Sequence, residues 1–160
     1  MQYGEAVSVI RRIPIFAGLD KAAQKLIAFS SMYLEFEPGE VIFRAGDVTD
    51  CVYVIDEGVV EVISERDGED VVVGKLDRHK LVGEMGIFRN APRSATVRAL
   101  DSVKALKIDA DVFLRIVTEN ADAAVAVMRD LSDKVAALTE RYEQSARQCE
   151  AMSIRPHKTS

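Results

Sequence analysis

Glu84 and Arg93 stand nine positions apart in the stretch 81–97, LVGEMGIFRNAPRSATV. Gly83 and Gly86 remove side chains where a backbone must turn sharply or approach something closely, so amides there can point at an anion. Met85 to Phe88 suit one short helical turn, whose unpaired N–H groups and positive dipole end favour a phosphate. Glu84 opens that turn, where a carboxylate can accept from a diol. Arg93 supplies a planar fork that matches phosphate oxygens at two points, and Ser94 adds a hydroxyl and an amide beside it. Pro92 stiffens the approach to Arg93 and biases Ala91 toward an extended backbone. A Glu and an Arg at this spacing are, taken alone, a solvated surface pair. With both glycines and Pro92-Arg93-Ser94-Ala95-Thr96, they suit a ligand with hydroxyls at one end and an anion at the other, which is the shape of a sugar phosphate.

The elements around this stretch read as follows. Residues 5–13 have the pattern of a short amphipathic helix ended by Pro14, with Ile15-Phe16 and a turn at Gly18 after it. Asp20 is an N-cap candidate for a helix that places Ala23, Leu26, Ile27 and Ser30 on one face. From Tyr33 the period changes to two: Tyr33–Phe36, Val41–Arg44, Cys51–Ile55, Val59–Ile63 and Asp70–Leu76 read as strands, as do Ala95–Leu100 and Val103–Ile108 after the glycine-rich stretch. Glu37-Pro38-Gly39-Glu40 and Ala45-Gly46-Asp47 are turns between them. Asp56-Glu57-Gly58 and Arg66-Asp67-Gly68-Glu69 each predict a hairpin. Many short strands with repeated glycine turns predict an all-β sandwich or roll.

The chain then turns helical. Ala110–Thr118 predicts a short helix with Val112, Phe113, Ile116 and Val117 packed, and Asn120 marks a restart. From Ala121 and Ala124 onward, Met128, Leu131, Val135, Leu138, Tyr142, Ser145, Cys149 and Met152 recur at alternating intervals of three and four, which is a heptad seam. So narrow a stripe, extended past Tyr142, predicts pairing with a second copy. Ile154–Ser160 is expected to fray.

The residues Gly83-Glu84, Gly86 and Pro92-Arg93-Ser94-Ala95-Thr96-Val97, in this order and spacing, resemble the phosphate-binding cassette of the cyclic nucleotide-binding domain family, found in bacterial catabolite activators, kinase regulatory subunits and cyclic nucleotide-gated channels. The resemblance extends over most of residues 14–118. Val82 departs from it, since many members carry Phe there. It implies a mainly β fold with flanking α-helices: a jelly-roll-like double-stranded β-roll with N-terminal helices in residues 1–118, a lid and dimerisation helix in 119–153, and a flexible tail in 154–160. It implies ligand binding by Gly83, Glu84, Met85, Gly86, Arg93, Ser94 and Ala95, with Glu84 on the ribose 2′-hydroxyl, Arg93 and Ser94 on the cyclic phosphate, and movement of the C-terminal helix as output. The expected ligand is cAMP. A hydroxyl directly after the arginine can also reach a guanine amino group in the family, which keeps cGMP as the alternative.

The remaining composition narrows the function classes. A net charge of −5 and a pI near 5.1 disfavour binding to nucleic acid, whose affinity rests on basic clusters. Arg11 and Arg12 interrupt the N-terminal apolar residues, so no secretory signal is expected, and no apolar run is long enough to span a bilayer. Two distant cysteines, Cys51 and Cys149, fit a reducing, cytoplasmic compartment. With only His79 and His157, a cupin-type metal centre is not expected, nor is a nucleophile arrangement, so the chain reads as a non-enzyme with no cofactor. Only eight residues follow Met152, too few for a helix-turn-helix. The reading is a cyclic nucleotide sensor, homodimeric through its C-terminal helix, that signals to a further protein. The alternative is a ligand-independent dimerisation or adaptor module on the same β-roll.

Overall fold

The structure, a computed structural model, describes residues 3–157. It divides into two compact units, Met1–Ala126 and Val127–Ser160. In the first, helices α1 (Tyr3–Arg12), α2 (Pro14–Ala17) and α3 (Lys21–Ser30) lead into eight strands. These are β1 (Ser31–Phe36), β2 (Val41–Phe43), β3 (Cys51–Glu57), β4 (Val60–Arg66), β5 (Glu69–Leu76), β6 (Leu81–Val82), β7 (Thr96–Ala99) and β8 (Val103–Asp109). Helix α4 (Glu84–Arg89) lies between β6 and β7, and α5 (Ala110–Glu119) follows β8. Helix α6 runs from Ala121 to His157 and crosses from the first unit into the second. Residues 158–160 of the expected tail lie outside the described residues. Among the described residues no helix is long and apolar enough to cross a membrane.

The strands form two four-stranded antiparallel sheets, ordered β1-β8-β3-β6 and β2-β7-β4-β5. This is the double-sheeted β-roll with flanking helices expected from the sequence. One expected hairpin is corrected. Asp56-Glu57-Gly58 does not join paired strands, because β3 pairs with β8 and β6 whereas β4 pairs with β5 and β7. The turn carries the chain from one sheet to the other. Gly58 has φ +93°, and a side chain on it would overlap the Ser102 carbonyl, so the corner closes only over a glycine. The second expected hairpin is present: β4 and β5 pair through Arg66↔Glu69, with Asp67 and Gly68 both at positive φ, the signature of the turns that match strand twist.

Strand β3 is covered on both faces, which is why Cys51-Val52-Tyr53-Val54-Ile55 reads as a continuous apolar run. Cys51, Tyr53 and Ile55 face the space between the sheets, where they meet Val60, Val82, Val97, Ala99, Val103 and Ala105. Val52 and Val54 are buried on the opposite face. Pro14 does not simply stop the first helix. It occupies the first position of α2, where its missing N–H costs nothing, and Ile13 before it is extended. Asp20 caps α3 as expected, accepting from the Ala23 N–H at 2.8 Å. The buried face of α3 is centred on Gln24, Ile27 and Ala28, one position away from the expected stripe. Gln24 is drawn inward because its Nε2 donates to the carbonyls of Phe16 and Ala17 at the end of α2. Asn120 restarts the chain as expected: its backbone is extended, its N–H donates to the Ile116 carbonyl, and α6 begins one residue later.

The helix side of β3 carries one buried charge. Asp56 is 1% exposed; its carboxylate accepts from Arg12 Nη2 at 3.1 Å and from the Tyr33 hydroxyl at 2.6 Å. Burial and the neighbouring carboxylate push the Tyr33 phenol well above its ordinary range, so it remains a donor. His79, in the turn before β6, has φ +71°, and burial holds its imidazole below the ordinary value. Arg12 remains half in water, which limits what its ion pair contributes. Asp56→Ala is therefore expected to lower unfolding free energy by about 1–3 kcal/mol, with Asp56→Asn losing less because it keeps an acceptor for Tyr33. Urea denaturation of the two variants beside the parent protein checks both the size and the order.

Candidate functional site

The residues singled out by the sequence lie at the junction of β6, α4 and the approach to β7. Strand β6 ends at Val82, and Gly83 turns the chain with φ +89° into α4, whose first residue is Glu84. Met85 and Gly86 continue the helix, and Asn90 closes it in the left-handed conformation. Arg93 returns to the same place from the other side, and Ser94 and Ala95 lead on into β7.

The structure brings Gly83 and Arg93 into contact. Arg93 Nη1 donates to the Gly83 carbonyl at 2.8 Å, and Nη2 donates to the Cys51 carbonyl at 2.7 Å and reaches Cys51 Sγ at 3.3 Å. The guanidinium lies over the Phe43 ring, 4.1 Å from its centroid. Arg93 is 5% exposed, and its Nε has no hydrogen-bond partner. Glu84, one residue beyond the Gly83 carbonyl, is 2% exposed. A buried guanidinium bonded mainly to neutral carbonyls keeps its positive field, and the Nε–H is a donor still to be satisfied. Such an arrangement attracts an anion.

The other expected residues take different places. Met85 is exposed, Ser94 is exposed and Ala95 is half-buried. Gly86 is buried against Thr49, whose hydroxyl and methyl a side chain there would overlap. Its lack of a Cβ thus serves packing behind the helix.

Sequence reasoning missed Phe43, Cys51, Asp47 and Thr49. Phe43 stacks on Tyr53 with centroids 6.1 Å apart, and Tyr53 meets Phe36 edge-on at 6.3 Å, so the guanidinium rests on an aromatic wall. Burial pushes the Cys51 thiol above its ordinary value, while a hydrogen bond from Tyr53 and the charge of Arg93 act in the opposite direction. Burial likewise pushes the Tyr53 phenol upward. Asp47 and Thr49 sit in the β2–β3 connection and bond the cassette through its backbone. In sequence Phe43 and Cys51 look like ordinary strand positions. Only their inward face in an alternating strand hints at them.

Comparison with known proteins places this geometry in a class. Residues 33–120 match the family described as cyclic nucleotide-binding domain, and the chain belongs to that family. The cAMP-dependent protein kinase regulatory subunit of Mycosarcoma maydis is 32% identical over 120 residues, which are 75% of this chain and 22% of that protein. The regulatory domain of Toxoplasma gondii PKA, solved with cAMP, has a TM-score of 0.62 at 25% identity over 72% of this chain and 44% of that one. The regulatory subunit of a cAMP-independent protein kinase A from Trypanosoma cruzi, solved bound to guanosine, has a TM-score of 0.69 at 26% identity over 82% of this chain and 46% of that one. The chain thus spans less than half the length of each of these relatives.

Gly83 and Gly39 share φ +89°, yet only at Gly83 would a side chain collide, its Cβ overlapping Arg93 Nη1. Gly39→Ala should therefore cost about 1 kcal/mol, from backbone strain alone. Gly83→Ala should cost clearly more, about 2–3 kcal/mol, because Arg93 must leave its carbonyl partners. Denaturant midpoints of the matched pair check the difference.

Proposed function

We propose that this domain binds a cyclic nucleotide, cAMP by preference, and that Gly83, Glu84, Met85, Gly86, Arg93, Ser94 and Ala95 form the binding cassette. The observation that carries this reading is the buried Arg93 guanidinium, fixed at its two Nη atoms with its Nε–H unpartnered. It would meet the cyclic phosphate, Glu84 would accept from the ribose 2′-hydroxyl, and the amides of residues 83–86 would face the anion at the start of α4. Ser94, exposed beside Arg93, would contact the phosphate at the rim. The relatives support this, since one is named for cAMP dependence and one is solved with cAMP. The guanosine-bound relative supplies the contrast: a nucleoside has no phosphate to face an arginine.

A cyclic nucleotide has roughly twenty non-hydrogen atoms, and at about −0.3 kcal/mol each the total corresponds to a Kd near ten micromolar. Isothermal titration should therefore show micromolar or tighter binding of cAMP, weaker binding of cGMP, and little heat with guanosine. Arg93→Ala should weaken cAMP by about 100-fold or more, equivalent to about 3 kcal/mol. Absence of heat with both cyclic nucleotides would overturn the reading.

For the output, we take residues 1–118 as sensor and 119–153 as lid and dimerisation helix. A lid that contacts the base better than water would let ligand shift an existing equilibrium between helix positions. Along α6 the apolar residues Met128, Val135, Leu138, Tyr142 and Met152 are exposed at intervals of the heptad seam, which supports pairing with a second copy. A charge placed in that seam would have to be buried at the interface. Leu138→Asp should accordingly convert a dimer to a monomer in sedimentation velocity at about 50 μM protein, leaving the β-roll folded. A parent protein that sediments as a monomer would remove the dimer from this reading.

A further inference from the structure

We propose that Thr49, which lies outside the cassette in the β2–β3 connection, is the positioning residue that holds the cassette in register for its ligand. This rests on the reading of Arg93 and Glu84 as nucleotide contacts. Three hydrogen bonds join this connection to residues 91–93. The Thr49 hydroxyl donates to the Ala91 carbonyl at 2.7 Å, the Arg93 N–H donates to the Asp47 carbonyl at 2.9 Å, and the Gly46 N–H donates to the Arg93 carbonyl at 2.8 Å. The two backbone bonds fix Arg93 at its own peptide units. The Thr49 bond is the one made by a side chain, and it acts on Ala91, whose N–H is already engaged by the Gly86 carbonyl at 3.0 Å. The peptide units of Ala91 thus link α4, which carries Glu84, to the segment that carries Arg93.

Thr49 also bears directly on Gly86, its Oγ1 and methyl occupying the space a Cβ would need. One side chain therefore touches the cassette at both ends of the 86–91 segment. Glu84 and Arg93 must keep a set separation to meet the two ends of one ligand, and Thr49 sets the length of the bridge between them. Thr49 lines a cleft of about 400 Å³ between the cassette and α5, together with Val48, Ile87, Ala91 and Leu114 among others. Because that cleft opens to solvent, water can take over the Ala91 carbonyl when the hydroxyl is removed. The loss should appear in positioning far more than in global stability.

The test compares Thr49→Val, which keeps the shape and removes the donor, with Thr49→Ser, which keeps the donor and removes the methyl, in the full chain. In Thr49→Val, cAMP binding should weaken about 5- to 20-fold, and the amides of Ala91 and Arg93 should exchange with deuterium at least about tenfold faster while β3 and β8 amides are unchanged. Thr49→Ser should remain within about threefold of the parent in both measurements. Equal behaviour of the valine variant and the parent overturns the proposal, as does a serine variant as impaired as the valine one, which would assign the effect to packing of the methyl. If the parent binds no cyclic nucleotide, the nucleotide reading fails by itself. Unchanged exchange at Ala91 and Arg93 in Thr49→Val would then separately overturn the positioning role.

Discussion

A guanidinium that is 5% exposed must find its hydrogen bonds inside the protein or in a ligand, since each buried donor left unmade costs about 1–3 kcal/mol. Much of the site's arrangement follows from how Arg93 meets that requirement. The Gly83 carbonyl can face Nη1 only because Gly83 adopts a positive φ and carries no side chain in the space the guanidinium fills. The Cys51 carbonyl faces Nη2 at the first residue of β3, which places the arginine at the edge of the apolar interior between the sheets. Phe43, the last residue of β2, covers one face of the charge. The end of β2, the start of β3 and the turn before α4 thus converge on one side chain.

That convergence depends on the sheet order. β3 and β6 pair through Tyr53↔Val82 and Val54↔Leu81, which brings Gly83 alongside Cys51. β2 and β7 pair in the other sheet, through Phe43↔Val97, which brings Phe43 beside the strand that Arg93 precedes. Because Asp56-Glu57-Gly58 does not close a hairpin, β4 lies in the sheet of β2 and β7, opposite the one that holds β3. The glycine corner against the Ser102 carbonyl therefore matters to the site as well as to the fold.

The cassette residues divide by burial in a way that separates their roles. Glu84 and Arg93 are internal, so a charge there acts with little screening by water, and the Arg93 head group is held by the Gly83 and Cys51 carbonyls. Met85 and Ser94 face outward. Gly86 also packs closely against Thr49, whose hydroxyl and methyl fill the space a side chain would need. The β2–β3 connection bonds the cassette at Ala91 and Arg93, adding to the few internal hydrogen bonds that so short a helix has of its own.

Local rules account for what the sequence alone determined. The strands themselves, the Asp67-Gly68 hairpin, the Asp20 cap, the Asn120 restart and the long helix α6 are each set by side chains within a few residues of the element they define, and all are present in the structure. The order of Gly83, Glu84, Arg93 and Ser94 was equally legible, because a turn, a short helix and a return strand occupy contiguous chain. Tertiary structure decided which strands pair, which face of α3 is buried, that Pro14 opens a helix, and that Phe43, Cys51 and Thr49 belong to the site. Most of these depend on contacts between separate elements, such as the bonds to the Phe16 and Ala17 carbonyls that draw Gln24 inward. Partners 42 to 50 residues from Arg93 in the chain leave no periodic trace around it, and only the closed β-roll brings their carbonyls and rings within reach of the charge.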